Sequence, residues 1–309
     1  MPYPREVVEQ VKAAILKETE GMRELNKVIP VTGERCSLPV HDREIPIVYY
    51  RAKRPDMPLI LGFHGGGFLF GGCAMNDAMW SAVSEELSCN VASVDYRKSP
   101  DYMYMDAIED AIEAAQYLKA HAQEFGHNGQ LSVMGCSAGA NVATAACLYA
   151  KTQGMEQFDR QVLLYPFLDL DTDPAAKGPG SLDGPIMQVF NEMHCLPEET
   201  KNPLVSPVFA QEHELEDMPA AVIVLADNDN LRPEGQTYAR MLRKAGVPVA
   251  LTVCERMPHG FFESGFGKIS EAEIEFLGEE VRALIRNGAV HEKSVVALQY
   301  IKEHWDITG

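Results

Sequence analysis

Short apolar runs that alternate with amphipathic helical patterns are the feature that most constrains the fold of this chain. Three runs rich in Val, Ile or Leu come early, at residues 45–50, 58–63 and 90–94. Later runs of the same kind are separated by helical patterns; the runs cover residues 130–134, 160–165, 220–226 and 248–254, and the helices cover residues 106–121, 138–150, 233–245 and 271–285. This alternation predicts an α/β fold, in which helices cover both faces of a mostly parallel central sheet.

Two regions interrupt the alternation. Residues 4–28 carry a helical pattern before the first strand, and residues 169–218 hold clusters of Pro, Gly, Asp and Glu. A structureless loop of that length is uncommon in a compact domain, so the second region is interpreted as an insertion with helices of its own. A chain of 309 residues fits one large domain that carries such an accessory element, and we expect a single domain over residues 1–309.

The composition excludes several partners and suggests a location. The formal net charge is −18, and nucleic acid binding depends on neutralising phosphates with Lys and Arg, so no nucleic acid partner is expected. No apolar run approaches the roughly 20 residues that a membrane span needs. Residues 1–22 lack the apolar centre of a signal peptide, and the seven cysteines have no paired spacing. We therefore expect a cytoplasmic protein with reduced thiols.

A candidate nucleophile lies in the run Gly135-Cys136-Ser137-Ala138-Gly139. A GxSxG pattern alone is weak, since average residue usage produces it in roughly one chain in ten of this length. Here the run joins a predicted strand to a predicted helix. That setting holds a serine on a sharp turn with its hydroxyl exposed, and the helix N-terminus behind it favours developing negative charge.

A glycine-rich loop, His64-Gly65-Gly66-Gly67-Phe68, follows the strand at residues 58–63. Three consecutive glycines leave backbone N–H groups uncovered, which suits donation to a transient oxyanion. The alternatives are a flexible glycine turn and a phosphate-binding loop. The phosphate patterns fail, because Phe70 stands where GxGxxG needs its last glycine and no GxxxxGK[ST] occurs.

A serine nucleophile needs a base and an acid that orients the base. His259 lies in a turn-like segment after the strand at residues 248–254, and Asp229 follows the strand at residues 220–226. The carboxyl ends of strands in open α/β sheets form active sites, so both are candidates. Asp227 and Glu234 are rival acids. The order Ser, Asp, His along the chain is the order expected for α/β-hydrolases.

Metal chemistry has little support in the sequence. His291-Glu292 begins a zinc-binding HExxH pattern, but Val295 occupies the position of the second histidine. His304 lies in the same terminal helical region and has no motif around it. We therefore expect neither a metal nor another cofactor.

Seven short motifs, in order over residues 45–262, resemble the hormone-sensitive-lipase-like branch of the α/β-hydrolase fold, a group of esterases and lipases. The matching segments, each followed by the family's motif in parentheses, are His64–Phe68 (HGGGF), Val94–Arg97 with Asp106 (VDYR…D), Gly135–Asn141 (GDSAGGN), Leu164–Pro166 (YP), Asn202–Val208 (PxxSP), Asp229–Gly235 (DPLRDEG) and His259–Phe261 (HGF).

The resemblance implies a role for each matching position. Ser137 would be the nucleophile, His259 the general base and Asp229 its orienting acid. The oxyanion donors would be the backbone N–H groups of Gly66, Gly67 and Ala138. Asp95 and Arg97 are expected to be structural, and His64 is expected to organise the glycine loop by hydrogen bonding without transferring protons.

The sequence departs from the family pattern in three places. Cys136 replaces the acid that usually precedes the serine, and we interpret it as a buried, inert thiol. Ala140 replaces a glycine at the start of the helix. Asn230 and Pro233 alter the acid loop, which leaves Asp227 as an alternative to Asp229.

The expected function is hydrolysis of small, short-acyl carboxylic esters through an acyl-enzyme intermediate. Residues of about 1–40 and 170–215 would form a compact cap over the site. Its apolar side chains would line an acyl pocket or simply pack on the core; they include Ile186, Met187, Val189 and Phe190. The alternatives are an amidase or formamidase on the same triad and a non-catalytic small-ligand receptor. A homo-oligomer is left open, as is the packing of residues 288–309.

Overall fold

The computed structural model describes residues 3–267 and 279–306. Within them one eight-stranded sheet has the order β1-β2-β4-β3-β5-β6-β7-β8. The strands are β1 (Glu34–Val40), β2 (Arg43–Tyr50), β3 (Met57–Phe63), β4 (Asn90–Val94), β5 (His127–Cys136), β6 (Arg160–Leu164), β7 (Ala220–Asn228) and β8 (Val249–Pro258). Strand β2 runs antiparallel to β1 and β4, and every other neighbouring pair is parallel. The predicted mostly parallel sheet is confirmed.

Helices lie against both faces of the sheet. They are α1 (Arg5–Val28), α2 (Asp77–Leu87), α3 (Tyr104–Ala120), α4 (Ala122–Phe125), α5 (Ala138–Thr152), α6 (Gly184–His194), α7 (Glu212–Leu215), α8 (Arg232–Lys244), α9 (Phe261–Phe266), α10 (Glu279–Arg286) and α11 (Ala289–Glu303). Successive side chains of a strand point to opposite faces. Leu59 and Leu61 of β3 accordingly bury in one apolar core with α3, α5 and α8, whereas Ile60 buries in a second core with α2, α9 and α11.

Several element boundaries differ from the sequence prediction. The predicted helix 271–285 is described only as α10, and residues 271–278 lie outside the described residues. Strand β7 extends to Asn228 and β8 to Pro258, both further than expected. The two strands therefore deliver Asp229 and His259 directly from their carboxyl ends.

Strand β1 and helix α2 were missed, as were the short helices α4 and α9, and β1 corrects the predicted cap. Strand β1 occupies the last part of the range 1–40 but pairs along its whole length with β2, so these residues belong to the sheet. Its alternating, mostly exposed side chains are typical of an edge strand and gave no apolar run. Helix α2 was missed because it is short and buries only four of its residues.

The insertion between β6 and β7 has helices of its own, as predicted. It contains α6 and α7, and α6 packs against α1. Buried Asn26 ties α1 to the body of the fold: its amide donates to Asp95 (2.8 Å), and its oxygen accepts the Ala74 N–H (2.9 Å). The two sequence regions that interrupted the alternation are thus brought together.

Arg97 forms a network of ion pairs with carboxylates of helix α3. Its guanidinium bonds Asp106 at 2.7 Å and the buried Asp110 at 2.9 Å, which is consistent with the structural role expected from the sequence. Among the described helices none combines the length and the hydropathy of a membrane span.

The C-terminal helix α11 packs on its own domain, against α2 and α9. Val290, Ala297, Leu298 and Ile301 of α11 are buried in the second core, whereas Val295 and Val296 are exposed.

Candidate active site

Ser137 lies on a tight turn between β5 and α5. Its φ of +54° and ψ of −119° place a non-glycine residue in a region that costs energy and clusters at functional sites. Its N–H donates to Leu164 O at 2.9 Å, which ties the turn to the end of β6. A Cβ at Gly139 would lie 2.2 Å from Phe63 O, so the second glycine of GxSxG permits helix α5 to approach β3.

Three predicted side chains form one hydrogen-bonded chain at this edge of the sheet. His259 Nε2 lies 2.8 Å from Ser137 Oγ, and His259 Nδ1 lies 2.8 Å from Asp229 Oδ2. The Asp229 side chain is fully buried, and the imidazole is 12% exposed. Since a carboxylate only accepts, Nδ1 carries the proton and Nε2 is left to accept from the serine hydroxyl.

Asp229 changes the proton affinity of His259. Burial disfavours the imidazolium, but the charge and hydrogen bond of Asp229, together with the charges of Glu263 and Glu234, outweigh burial, so the pKa of His259 is raised above its ordinary value. A second bond, from Leu231 N–H to Asp229 Oδ1 at 2.9 Å, fixes the carboxylate. This arrangement can remove a proton from Ser137 and stabilise the cation that results.

The rival acids are engaged elsewhere. Asp227 is half exposed and pairs with Arg232. Glu234 is buried, accepts the Leu168 N–H at 2.6 Å and pairs with Lys177 at 2.6 Å; burial raises its pKa to about 7. Neither bonds to the imidazole, so Asp229 is the acid that the structure brings to His259.

No metal site competes with this arrangement in the part of the chain that the structure describes, where no group of three or more His, Cys, Asp or Glu side chains could hold an ion. His291 Nδ1 instead lies 2.7 Å from Gly265 O, and His304 Nδ1 lies 2.9 Å from Tyr300 O. Both bonds are local to the C-terminal helices.

The glycine loop stands beside the serine. Gly66 (φ +114°) and Gly67 (φ +58°) have left-handed backbone, and a Cβ at Gly67 would lie 2.3 Å from the Phe190 ring. Within residues 3–267 and 279–306, the backbone N–H groups of Gly66 and Gly67 have no backbone acceptor. Ala138 is the first residue of α5, so its N–H has no partner within that helix. Free backbone donors beside a serine can stabilise an oxyanion.

His64 is positioned to hold this loop and not to transfer protons. Burial lowers its pKa to about 3, which keeps the imidazole neutral. The ring stacks on Tyr96 with centroids 4.4 Å apart, and Nδ1 lies 2.7 Å from Gly65 O.

Cys136 is buried beside the nucleophile, and its Sγ lies 4.0 Å from Met79 Sδ. Burial raises the pKa of the Cys136 thiol well above its ordinary value, and a thiol without thiolate character is unreactive. All seven cysteines are free.

Sequence reasoning missed three contacts around the site. Glu263 and Tyr165 bond to each other beside His259. Ser181, from the insertion, accepts the His259 N–H at 2.7 Å. Tyr165 belongs to the YP segment, but that motif does not indicate its contacts with His259 and Glu263, and no motif marks Glu263 or Ser181.

The sequence of this chain is similar to those of known hydrolases. A family profile described as alpha/beta hydrolase fold matches residues 60–263. The arylesterase of Saccharolobus solfataricus is 31% identical over 277 residues, which cover 85% of this chain and 89% of that protein. The ethyl acetate hydrolase of Pseudomonas putida is 29% identical over 251 residues, with 78% of each protein covered.

The solved structures that superpose on this chain are also those of esterases. The hyperthermophilic esterase of Pyrobaculum calidifontis superposes with a TM-score of 0.73 at 28% identity, covering 94% of this chain and 100% of that one. The thermostable carboxylesterase EstE1, cloned from a metagenomic library, gives a TM-score of 0.70 at 29% identity, with 93% and 97% covered.

Proposed function

This chain belongs to the α/β-hydrolase fold family, as an esterase or lipase-like hydrolase, and on that premise we propose that it hydrolyses small carboxylic esters with short acyl chains through Ser137. The observation that carries the proposal is the pair of 2.8 Å hydrogen bonds that links Ser137 to His259 and His259 to Asp229. Nucleophile, base and orienting acid at such distances are the arrangement that activates a serine hydroxyl.

The proposed first half-reaction forms an acyl-enzyme. His259 Nε2 takes the Ser137 proton as Oγ bonds to the carbonyl carbon, and the carbonyl π electrons move onto oxygen. The N–H groups of Gly66, Gly67 and Ala138 donate to this oxyanion; one such donor is worth roughly 10²–10³ in turnover. The carbon–oxygen bond to the alcohol then breaks, and the alcohol leaves with the proton held by His259.

The second half-reaction restores the serine. Water attacks the acyl carbon while His259 takes one of its protons, and a second oxyanion forms in the same place. The bond to Ser137 Oγ breaks, the proton returns to the serine, and the carboxylic acid leaves. Asp229 keeps the imidazole in one tautomer and orientation throughout, without becoming protonated.

A panel of p-nitrophenyl esters and matched p-nitroanilides tests the reaction class. Turnover of the esters with little or none of the anilides is expected. Preferential amide turnover would favour the amidase alternative, and binding without turnover would favour the receptor alternative.

The short-acyl preference rests on Phe190. This ring comes from α6 of the insertion and stands directly against Gly67, with Phe70 edge-on at 6.2 Å between centroids. An aromatic side chain at that place limits the length of acyl group that fits beside the oxyanion loop. The name of the related ethyl acetate hydrolase denotes a two-carbon acyl group, which supports the same preference.

Replacing Phe190 with alanine is expected to shift the preference toward longer acyl chains. Each buried methylene is worth about 0.8 kcal/mol, so three or four newly accommodated methylenes would raise the ratio of kcat/KM for octanoate over acetate about 50- to 200-fold. Val189→Ala, a truncation of the fully buried neighbour on the same helix, should leave the ratio unchanged. A wild-type optimum at long chains, or no shift in Phe190→Ala, would contradict the assignment.

We also propose a cytoplasmic protein without a nucleic acid partner. Seven free cysteines, six of them buried, favour a reducing compartment, and a net charge of −18 disfavours binding to phosphates. Elution in low-salt buffer from a nucleic acid column is the expected behaviour.

A further inference from the structure

Glu263 is a carboxylate in the site that the hydrolytic mechanism does not use. It lies in the first turn of α9, four residues after His259, and is half-buried. It lines a cavity of about 300 Å³ that also borders Gly65 and Gly66 of the glycine loop. A charged side chain at such a place requires partners or a function.

The two carboxylate oxygens of Glu263 face different neighbours. Oε2 accepts the hydroxyl of Tyr165. Oε1 faces Gly65. A Cβ built on Gly65 would lie only 2.9 Å from Glu263 Oε1 and 3.5 Å from the Cβ of Ser137. Glu263 therefore lies within one side chain's width of the nucleophile.

Tyr165 connects this carboxylate to the general base. The ring is fully buried and packs edge-on against the His259 imidazole, with centroids 5.0 Å apart and planes at 65°. Its backbone is held in left-handed conformation at the end of β6 (φ +36°) by a 2.7 Å bond from its N–H to Val224 O. The backbone fixes one end of Tyr165, and Glu263 fixes the hydroxyl at the other.

The charged groups that face His259 are carboxylates on three elements. Asp229 precedes α8, Glu234 lies on α8, and Glu263 lies on α9; all three raise the pKa of the imidazole against the effect of burial. Ser137 and Tyr165 are its other polar neighbours.

Glu263 in turn faces several groups. Burial raises its pKa, while the hydroxyl of Tyr165, the charge of His259 and the thiol of Cys136 act to lower it. Glu18 of α1 lines the same cavity. The imidazolium that forms during catalysis thus has a second carboxylate close by.

We propose that Glu263 is a positioning residue of this esterase. Its carboxylate fixes Tyr165, whose ring packs against His259, and it places a second negative charge beside the imidazole. This inference rests on the proposed function, since it assigns a role only if His259 cycles between its neutral and protonated forms. A side chain that merely packed there would affect stability without affecting the ionisation of His259.

Glu263→Gln tests the charge while keeping an acceptor for Tyr165. The imidazolium loses stabilisation, so the pKa of His259 falls and the acid limb of kcat/KM against pH moves to lower pH, by about half a unit or more. At pH 8, kcat for p-nitrophenyl acetate is expected to fall about 3- to 30-fold, with KM changed less than twofold. Asp227→Asn, a neutralised carboxylate paired with Arg232, is the matched control and should leave the profile in place.

Tyr165→Phe tests whether the Tyr165 hydroxyl helps to position His259. It also provides a test of the proposal if Glu263→Gln does not fold. It keeps the Glu263 charge and removes only the hydroxyl, so kcat should fall several-fold while the acid limb stays in place. Wild-type kcat in Tyr165→Phe would overturn the positioning role. An unmoved acid limb in folded Glu263→Gln would overturn the electrostatic role.

Labelling with a fluorophosphonate separates failure of this inference from failure of the proposed function. If wild-type protein is not labelled at Ser137, the proposed function is wrong. If wild type and Glu263→Gln are labelled equally fast over the whole pH range, the enzyme assignment stands and the inference about Glu263 is wrong.

Discussion

Replacement of Ser137 by alanine is expected to lower kcat for p-nitrophenyl acetate by about 10⁴- to 10⁶-fold. Without Oγ no acyl-enzyme forms, and the remaining groups can only assist direct attack by water. The fold should survive, because Ser137 is held by its backbone N–H to Leu164 and by the packing of Gly139 against β3, neither of which needs the hydroxyl. Steady-state kinetics and a thermal melt measure the two effects separately.

Ser132→Ala is a suitable control for this variant. Ser132 is also a buried serine of β5, but it lies five residues before the nucleophile and outside the hydrogen-bonded chain. Its kcat should stay within a few-fold of wild type. Hydrolysis by Ser137→Ala at the wild-type rate would show that another residue is the nucleophile.

The second large effect is expected for Asp229→Asn, which should lower kcat about 10²- to 10⁴-fold. An asparagine amide can donate to Nδ1, which would place the imidazole proton on Nε2 and remove the acceptor for the Ser137 hydroxyl. Loss of the negative charge also lowers the pKa of His259, so the acid limb of kcat/KM should move to lower pH. Rates measured between pH 5 and 9 test both consequences.

Asp227→Asn discriminates between the two acids of the loop. Asp227 lies two residues earlier, pairs with Arg232 and is half exposed, so its loss should change kcat less than threefold. A larger loss in Asp227→Asn than in Asp229→Asn would mean that the working enzyme uses the other acid.

The architecture could be predicted because its signals are local. Runs such as residues 58–63 and 90–94 are apolar throughout, as strands buried on both faces must be, and they correspond closely to β3 and β4. Strand β1 has no such signal, since an edge strand alternates and exposes one face to solvent. The sheet pairing that defines it is a tertiary contact.

The proximity of the three candidate site residues could be predicted for a related reason. Ser137, Asp229 and His259 each follow a strand of one parallel sheet, and the carboxyl ends of those strands meet at one edge. Neighbouring strand order β5-β6-β7-β8 then brings residues 122 positions apart into a 2.8 Å contact.

The supporting contacts could not be predicted in this way. Phe190 reaches Gly67 from the insertion, and Tyr165 meets Glu263 across 98 residues. Both contacts depend on how helices α6 and α9 pack against the rest of the fold. A sequence pattern with the period of a helix shows which face is apolar but not which loop that face will meet.

Covalent labelling tests most directly whether Ser137 is the nucleophile. Incubation with diethyl p-nitrophenyl phosphate should bond phosphorus to Ser137 Oγ and release p-nitrophenolate, with one adduct per chain forming in step with the loss of esterase activity. Peptide mass spectrometry can separate an adduct on Ser137 from one on the adjacent Cys136. The adduct is expected on Ser137; inactivation with the adduct elsewhere, or full activity with Ser137 modified, would contradict its role as nucleophile.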